Sequence, residues 1–333
     1  MVSHGHQTAP LLRLVIVLCM YFALPIFAEL PSFHHELKSD ELLRFLVIGD
    51  WGRRGEFNQS LVATEMGKIG ELLDIDFVVS TGDNFYDNGL TGANDPAFVE
   101  SFSNIYTAKS LQKPWFSILG NHDYRGDALA QLTPIQEKVD SRWFCLKSYT
   151  LSTGIADFFF IDTSPFVDDY YKDRDHKYDW RGLSSRQTYL TNLLKDFEEA
   201  LMKSTANWKI VVGHHTIRSI GSHGDTPELK EKLVPILKAN DVHIYMNGHD
   251  HCLEHISSMD SSIQYLTSGA GSKAWRGDVK NNNDEDVKFF YDGQGFMSVQ
   301  ITQNDAEIVF YDVFGDVLHQ LILTKQEKLR YYV

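Results

Sequence analysis

The chain has few cysteines, and no two of them are closely spaced. Its 333 residues include only Cys19, Cys145 and Cys252. A structural zinc site usually needs paired thiolates, so their absence argues against one. Cys19 lies in an apolar N-terminal run. Cys145 and Cys252 could form one disulfide in an oxidising compartment or be buried as small apolar side chains, and the sequence leaves both alternatives open.

Positive charge is also scarce. The chain has 31 basic and 45 acidic residues, a formal net charge of −14. Such a balance disfavours binding to nucleic acids or to anionic membranes. A small anion can still bind where a metal ion supplies positive charge locally. We therefore expect small-molecule substrates and no nucleic-acid partner.

Long hydrophobic runs are absent outside the N-terminus. The run LVIVLCMYFALPIFA at 14–28 is shorter than the roughly 20 residues of a membrane-spanning helix. It is typical of a secretory signal peptide, which we assign to 1–28 with cleavage near Ala28; an uncleaved signal anchor is the alternative, because Arg13 is the only basic residue before the run. Export would make the sequon at Asn58 available for an N-glycan. Secretion, the cell wall and the vacuole are not distinguished.

Strand-like and helical segments alternate through the first two thirds of the chain. Strands are predicted at 44–49, 77–81, 115–119, 145–151, 157–163, 208–213 and 242–248. Helices are predicted at 58–73, 95–106, 184–203 and 226–239. The final third lacks a helical period and suggests an antiparallel sheet appended to the α/β part, with strands at 263–268, 287–300, 306–313 and 316–324. The simplest architecture is a single domain at 42–325 with two packed sheets covered by helices.

Side chains that can bind metal ions follow directly after five of the apolar strands. They are Asp50, Asp83, Tyr86, Asn121, His122, Asp123, His214, His215, His249, Asp250 and His251. One such loop alone is typical of an ordinary turn. Because the C-terminal ends of strands border the site crevice in open α/β sheets, we expect the five loops to converge.

The types of donor narrow the metals. Carboxylates, imidazoles and an amide suit two hard or borderline ions that share one bridging carboxylate. Such a pair can clamp a phosphoryl group and acidify a bound water. The phenol of Tyr86 is a less common donor, because a phenolate is a hard, strongly donating ligand that favours a ferric ion.

Five motifs together resemble the purple acid phosphatases. They are GD (49–50), GDNFY (82–86), GNHD (120–123), VVGH (211–214) and GHDH (248–251). Over about 42–320 the chain is most similar to the small, single-domain plant type, which is similar to the mammalian tartrate-resistant enzymes. The resemblance implies a calcineurin-like metallophosphoesterase fold of mixed α/β (α+β) class. That fold is a four-layer α-β-β-α sandwich of two mixed β-sheets flanked by helices, here in a monomer.

The resemblance also implies a role for each site residue. The ferric ion would be held by Asp50, Tyr86, His251 and the bridging Asp83. The divalent ion, which could be zinc, manganese or iron, would be held by Asn121, His214, His249 and the same Asp83. His122 and His223 would be the catalytic histidines, and which of them is the general acid is left open.

The implied activity is that of an acid phosphatase, a phosphoric monoester hydrolase. A metal-activated hydroxide would attack a phosphate monoester and release an alcohol and inorganic phosphate. The alternatives are another metallophosphoesterase (a nucleotidase, a phosphodiesterase or a protein phosphatase), a secreted iron protein with peroxidase-like redox activity, or a metal-binding partner without turnover. The physiological ester is not identified.

Neighbouring residues carry weaker expectations. We expect Asp123 and Asp250 to orient imidazoles rather than to bind metal, and His215 to point away from the ligands as a structural residue or an outer-sphere contact. The segment GAGSKAWRGD follows a strand and could border the mouth of the site, where Lys273 or Arg276 would reach phosphate.

Overall fold

The computed structural model describes residues 29–37, 41–259, 261–280 and 284–325. The predicted signal peptide at 1–28 lies outside these residues and stays a prediction. Among the helices of the described part, none is long and apolar enough to cross a membrane.

Two β-sheets form the centre of the molecule. In chain order the strands of the described residues are β1 (Ser32–His34), β2 (Leu43–Ile48), β3 (Phe77–Ser80), β4 (Trp115–Ser117), β5 (Trp143–Cys145), β6 (Tyr149–Ser152), β7 (Ala156–Phe160), β8 (Trp208–Val212), β9 (Ile244–Asn247), β10 (Leu253–Ser257), β11 (Gln264–Ser268), β12 (Val287–Tyr291), β13 (Gly295–Ile301), β14 (Asp305–Asp312) and β15 (Val317–Thr324). The α-helices are α1 (Gln59–Leu73), α2 (Asn121–Tyr124), α3 (Arg186–Lys203), α4 (Pro227–Lys232) and α5 (Val234–Ala239).

Both sheets combine parallel and antiparallel strands. The eight-stranded sheet has the order β1-β6-β7-β8-β9-β11-β10-β12, and the seven-stranded sheet has the order β15-β14-β13-β2-β3-β4-β5. Strands β2 to β5 are parallel to one another, as are β7, β8, β9 and β11. In each sheet, therefore, several strand ends point to the same edge.

Apolar side chains fill the space between the sheets. Phe45 of β2 stacks on Phe77 of β3, and both contact Phe158 of β7 across the interface. Strands buried on both faces have nearly continuous apolar sequences rather than alternating ones, which is why the run LRFLVI at 43–48 predicts a central strand.

Helices cover the outer faces and complete four layers. On the eight-stranded sheet, α3 begins at the N-cap Ser185, whose side chain accepts a hydrogen bond from the Thr188 N–H. Its buried face recurs every three or four residues, as an amphipathic helix requires: Leu190, Leu193, Phe197 and Leu201. On the seven-stranded sheet, α1 buries Val62 and Met66. The predicted sandwich is confirmed.

Several predicted elements differ from the structure. The final third forms no separate sheet, because β11 and β12 join the eight-stranded sheet while β13 to β15 extend the seven-stranded one. The predicted strand 145–151 spans a crossing between sheets, with β5 on one side and β6 on the other. The helix predicted at 226–239 divides into α4 and α5 at Leu233, near Pro235, which cannot donate to the preceding turn. The helix predicted at 95–106 is present in shorter form, since 97–98 are α-helical and continue into the π-helical turn Val99–Ser103.

The two cysteines beyond the N-terminal run are free and buried. Cys145 ends β5 of the seven-stranded sheet, and Cys252 lies just before β10 of the eight-stranded sheet. The alternative of two small buried side chains is therefore the one that the structure contains.

Candidate metal centre

The predicted ligands converge where the two sheets meet. The residues that follow β2, β3, β4, β8 and β9 come together at one edge of the sandwich, and all seven predicted ligands are buried. A direct link joins the sheets there, because the His249 N–H donates to Asp50 Oδ2 at 3.0 Å. Asp50 follows β2 of the seven-stranded sheet, and His249 follows β9 of the other.

Tyr86 lies at the centre of the first donor group. Its hydroxyl oxygen is 2.9 Å from Asp50 Oδ1, 3.0 Å from Asp83 Oδ2 and 3.1 Å from His251 Nε2. Donors at about 2.1 Å from an octahedral ion lie about 3 Å from each other along each edge of the octahedron. These four side chains therefore fit around a single ion.

His214 lies at the centre of the second donor group. Its Nε2 is 3.0 Å from Asn121 Oδ1 and 3.5 Å from Asp83 Oδ1. The ring of His249 packs edge-on to it, with centroids 5.1 Å apart. The two carboxylate oxygens of Asp83 thus face different donor groups, which fits a bridging ligand between two ions.

The loops adopt uncommon backbone conformations at the ligands. Asp50, Asp83 and His249 have positive φ angles of 60°, 49° and 72°. Gly120 allows Asp83 to approach the GNHD loop, because a Cβ there would lie 2.2 Å from Asp83 Oδ1. The ligand positions are thus fixed by turn geometry as well as by side-chain type.

The bridging position carries a paired charge. Burial would raise the pKa of Asp83, but the nearby His214 and His122 rings hold it well below its usual range. Burial has the opposite effect on His214 and lowers its pKa. The Asp83 and Asp50 carboxylates outweigh burial and raise the pKa of His214 to about 9. A carboxylate that stays ionised next to an imidazole offers two donors to a metal ion, which would take the place of the proton between them.

The remaining ligands favour their neutral forms. Burial raises the pKa of Tyr86, and the Asp50 and Asp83 carboxylates raise it further; Arg53, whose guanidinium lies 3.7 Å over the Tyr86 ring, opposes the shift. Burial lowers the pKa of His251 to about 3. A neutral imidazole is the form that binds metal.

Backbone carbonyls orient two of the imidazoles. His251 Nδ1 lies 2.6 Å from the Lys273 carbonyl oxygen, and His214 Nδ1 lies 2.9 Å from that of Thr81. A carbonyl oxygen only accepts, so each Nδ1 carries the hydrogen and each Nε2 faces the donor group.

The two predicted catalytic histidines flank the ligands on different sides. His122 Nδ1 contacts the Asp87 carbonyl oxygen, and its Nε2 lies 3.9 Å from Asp83 Oδ2. The His223 ring is exposed and stacks on His249, with centroids 4.0 Å apart. Burial and Arg125 lower the pKa of His122, while Asp83 opposes them.

The expectation that Asp123 and Asp250 orient imidazoles is wrong. Asp123 accepts hydrogen bonds from backbone N–H groups, including that of Gly120, and Asp250 accepts from those of His223 and Gly224. Both carboxylates therefore hold loop backbones in place. The motifs GNHD and GHDH each place an acid next to a histidine. Neither motif shows whether the acid contacts an imidazole or the backbone.

His215 packs against a predicted ligand, which fits the outer-sphere contact that the sequence left open for it. It is buried, and its ring centroid is 4.4 Å from that of His249. Its Nε2 lies 2.8 Å from the Tyr170 hydroxyl and its Nδ1 lies 2.9 Å from the Thr163 hydroxyl. It therefore connects the centre to the segment around Tyr170.

The segment at 269–278 borders the site through the Lys273 backbone and the Trp275 ring, and not through the side chains of Lys273 and Arg276. Lys273 contributes its carbonyl to His251, and Trp275 stacks on the His251 ring with centroids 4.1 Å apart. Arg276 is directed towards Asp292, 3.5 Å away. Trp275, Arg53 and Arg125 are site neighbours that sequence reasoning missed, since no motif marks them.

Comparisons with known proteins agree with this geometry. The Calcineurin-like phosphoesterase family model matches residues 43–253. Purple acid phosphatase 17 of Arabidopsis thaliana is 60% identical over 318 residues, which cover 94% of each chain. Tartrate-resistant acid phosphatase type 5 of Homo sapiens is 30% identical over 86% of this chain and 92% of its own. Among solved structures, GAP50, described as the anchor in the inner membrane complex of Plasmodium, superposes with a TM-score of 0.72 at 25% identity, covering 86% of this chain and 90% of its own.

A relative of this identity and coverage, together with the family model, establishes the family. Purple acid phosphatases have a dinuclear metal centre, and the described residues contain a buried cluster of Asp50, Asp83 and His214 whose ligand atoms lie within 4.8 Å of one another. The chain belongs to the purple acid phosphatases, within the calcineurin-like phosphoesterases, and is an acid phosphatase.

Proposed function

We propose that the protein is an exported phosphatase that hydrolyses small phosphate monoesters at a centre of one ferric and one divalent ion. The observation that carries the proposal is the position of Tyr86, whose hydroxyl lies within 3.1 Å of donor atoms of Asp50, Asp83 and His251. A phenolate in that position favours a ferric ion.

In this proposal the two donor groups hold different ions. Asp50, Tyr86 and His251 would hold the ferric ion, and Asp83 would bridge to the second. The divalent ion, zinc, manganese or iron, would be held by Asn121, His214, His249 and the same Asp83. When bound, the ions would supply Lewis acidity to the phosphoryl oxygens and lower the pKa of a water molecule.

His122 is the better placed of the two histidines to move a proton. The Asp87 carbonyl takes the hydrogen on Nδ1, so Nε2 is the ring atom that can gain or lose a proton on the side of Asp83. In acid this nitrogen would carry a proton and donate it to the leaving oxygen. Arg125 lies beside the ring and makes the protonated form a stronger acid.

His223 is suited to positioning the phosphoryl group. Its ring lies flat against the His249 ring and near Trp275, with centroids 4.0 and 5.1 Å away. It is fixed by stacking, and its exposed edge can donate a hydrogen bond to a phosphoryl oxygen.

The cellular setting is part of the same proposal. A cleaved signal at 1–28 would export a single metallophosphoesterase domain at 42–325 as a monomer, to the cell exterior, cell wall or vacuole, without stable membrane association. Asn58 is exposed just before α1, which would let it carry a glycan.

The alternative metallophosphoesterases differ from the proposed enzyme in the phenolate ligand. A nucleotidase, phosphodiesterase or protein phosphatase would be expected to lack a phenolate ligand and to be colourless. A redox-active iron protein, or a binding partner without turnover, would take up iron without releasing phosphate from esters.

Metal analysis and the visible spectrum of the purified holoenzyme test the proposal. We expect one iron and one divalent ion per chain, a purple colour that bleaches on strong reduction, and release of phosphate from monoesters in acid. A fully metallated, colourless phosphatase would overturn the ferric assignment. A purple protein that releases no phosphate would overturn the catalytic one.

A further inference from the structure

Arg125 lies beside the candidate centre and has no acid partner among the residues that the structure describes. It follows directly after α2, and its guanidinium contacts the His122 ring and the Tyr178 hydroxyl. Its Nε is buried and makes no hydrogen bond within the described residues. A buried donor without a partner is costly, and the lack of an ion pair within the described residues leaves the charge of the guanidinium available to an anion.

Three other arginines of the described residues have ion-pair partners, although the Nε of Arg53 is buried without a hydrogen bond, as the Nε of Arg125 is. Arg53 pairs with Asp87 at 2.8 Å, and Arg186 pairs with Asp168 at 2.7 Å. Arg181 pairs with two acids, Asp127 and Asp179. Arg125 differs from these three arginines, because it has no ion pair within the described residues although the protein is acidic.

His122 separates Arg125 from the bridging carboxylate. Arg125 Nη1 is 3.2 Å from His122 Nδ1 and 3.3 Å from Nε2, and the same Nε2 is 3.9 Å from Asp83 Oδ2. Within the described residues no ion pair joins Arg125 and Asp83. A group that contacts Arg125 would therefore lie next to the His122 ring rather than at Asp83.

An aromatic wall limits where the guanidinium can go. Tyr178 stands beside Arg125, and its ring is stacked between Tyr170 and Trp180, with centroids 4.8 and 5.5 Å away. Tyr170 is itself tied to His215 at 2.8 Å. A guanidinium held against such a wall loses little conformational entropy when it binds an anion.

We infer that Arg125 binds an anionic group on the leaving part of the substrate, so that the enzyme prefers phosphate monoesters whose alcohol carries a second phosphate. The inference rests on the proposed function, with His122 at the leaving oxygen. If the transferred phosphoryl group lies on the Asp83 side of His122, the alcohol extends towards Arg125. A phosphate there would accept forked hydrogen bonds from the two Nη groups of the guanidinium.

A matched pair of substrates tests the inference on the metal-loaded holoenzyme. Propane-1,3-diol monophosphate and propane-1,3-diol bisphosphate share a carbon chain and differ in the second phosphate. We expect wild type to have the higher kcat/KM for the bisphosphate, and Arg125→Gln to lower the ratio of bisphosphate to monophosphate by about 10- to 100-fold, the size of a lost charge-assisted contact. Arg125→Lys, which keeps the charge but not the fork, should give an intermediate ratio.

Arg181→Gln is the matched control, since it removes an arginine that is paired with Asp127, two residues beyond Arg125, and it should keep the wild-type ratio. An unchanged ratio in Arg125→Gln would overturn this inference alone. Equal losses on both substrates, with weaker inhibition by inorganic phosphate, would place Arg125 on the transferred group and overturn it as well. A wild-type protein that hydrolyses neither ester would overturn the proposed function and this inference with it. If Arg125→Gln fails to fold, the ratio in Arg125→Lys decides.

Discussion

The two sheets contribute different chemistry to the candidate centre. The seven-stranded sheet supplies the oxygen donors, which are Asp50, Asp83, Tyr86 and Asn121. The eight-stranded sheet supplies the nitrogen donors, which are His214, His249 and His251. Neither sheet alone holds a complete donor group, since Tyr86 needs His251 and Asn121 needs His214. The centre therefore forms only when the sheets are packed together.

The division also separates charge. The oxygen side contributes the Asp83 carboxylate, and the nitrogen side places the His214 imidazole beside it. The Phe45, Phe77 and Phe158 contacts that hold the sheets in register lie in the same interface. Core packing thus determines whether the oxygen and nitrogen donors meet. Mutations of the oxygen donors or of the nitrogen donors test how strictly each kind is needed.

Removal of the bridge should have the largest effect. Asp83→Ala takes away the carboxylate that faces both donor groups, and we expect kcat/KM for phosphate monoesters to fall by roughly 1,000-fold or more. Steady-state kinetics with metal analysis measure it. Asp162→Asn, a change at a buried acid outside the donor groups, is the control and should keep most of the activity. Full activity in Asp83→Ala with an intact fold would contradict the ligand assignment.

Removal of the Tyr86 hydroxyl should change which metal ion the oxygen donors favour. Tyr86→Phe keeps the ring beneath Arg53 but deletes the oxygen near Asp50 and Asp83, so the fold should persist. We expect the visible absorption band to disappear and activity to fall by about 100-fold, with iron retained less tightly. Absorption spectra and iron content measure the change. A variant that stays purple would show that another group gives rise to the colour.

The two predicted catalytic histidines, His122 and His223, belong to opposite sides of the division, and the dependence of the rate on the leaving group separates their proposed roles. His122→Asn should reduce kcat by about 100-fold for an alkyl phosphate and by less for an aryl phosphate, whose leaving oxygen needs less protonation. His223→Asn should affect both esters equally, mainly through KM. Parallel kinetics on the two esters measure this. The reverse pattern would exchange the two roles.

One carboxylate lies on the nitrogen side without joining the centre, and its effect should be smallest. Asp162, two residues past β7, accepts hydrogen bonds from Tyr124 and Tyr189. Burial raises its pKa to about 6. A raised pKa in the folded state means that its contribution to stability is full below the unfolded value, near 3.8, and is lost as pH rises through 6.

Comparison with an uncharged side chain measures that loss. Relative to Asp162→Asn, the wild-type free energy of unfolding should decline by about 2 kcal/mol between pH 4 and pH 7. Urea unfolding of both proteins over this range measures the difference. A constant difference would mean that Asp162 titrates normally.

Sequence patterns predicted the convergence of the loops better than the partnering of the strands. Apolar runs such as 77–81 mark where a strand ends, and parallel ends share an edge, so the meeting of Asp83 with His214 could be expected from local patterns. Strands β12 and β13 join different sheets because of their pairing partners, and β13 pairs with β2, which is distant in the sequence. A local hydrophobic period does not encode such a pairing. The roles assigned to the individual ligands stay predictions.

Residues without a motif were beyond sequence reasoning for a similar reason. Arg125 stands out only because Tyr178, far along the chain, packs beside it and no acid does within the described residues. Trp275 likewise becomes a site residue through its stacking on His251. Both depend on long-range contacts that appear only in the folded chain.

The positive φ angles of Asp50, Asp83 and His249 limit how the centre could be transplanted. A designer who copied the seven side chains onto another two-sheet scaffold would reproduce the donor atoms but not their directions, since ordinary strand-to-helix connections keep φ negative. The portable unit is therefore each whole turn with its backbone conformation, including the glycine that lets a carboxylate come close. Grafts that carry the turns should bind metal where grafts of side chains alone do not.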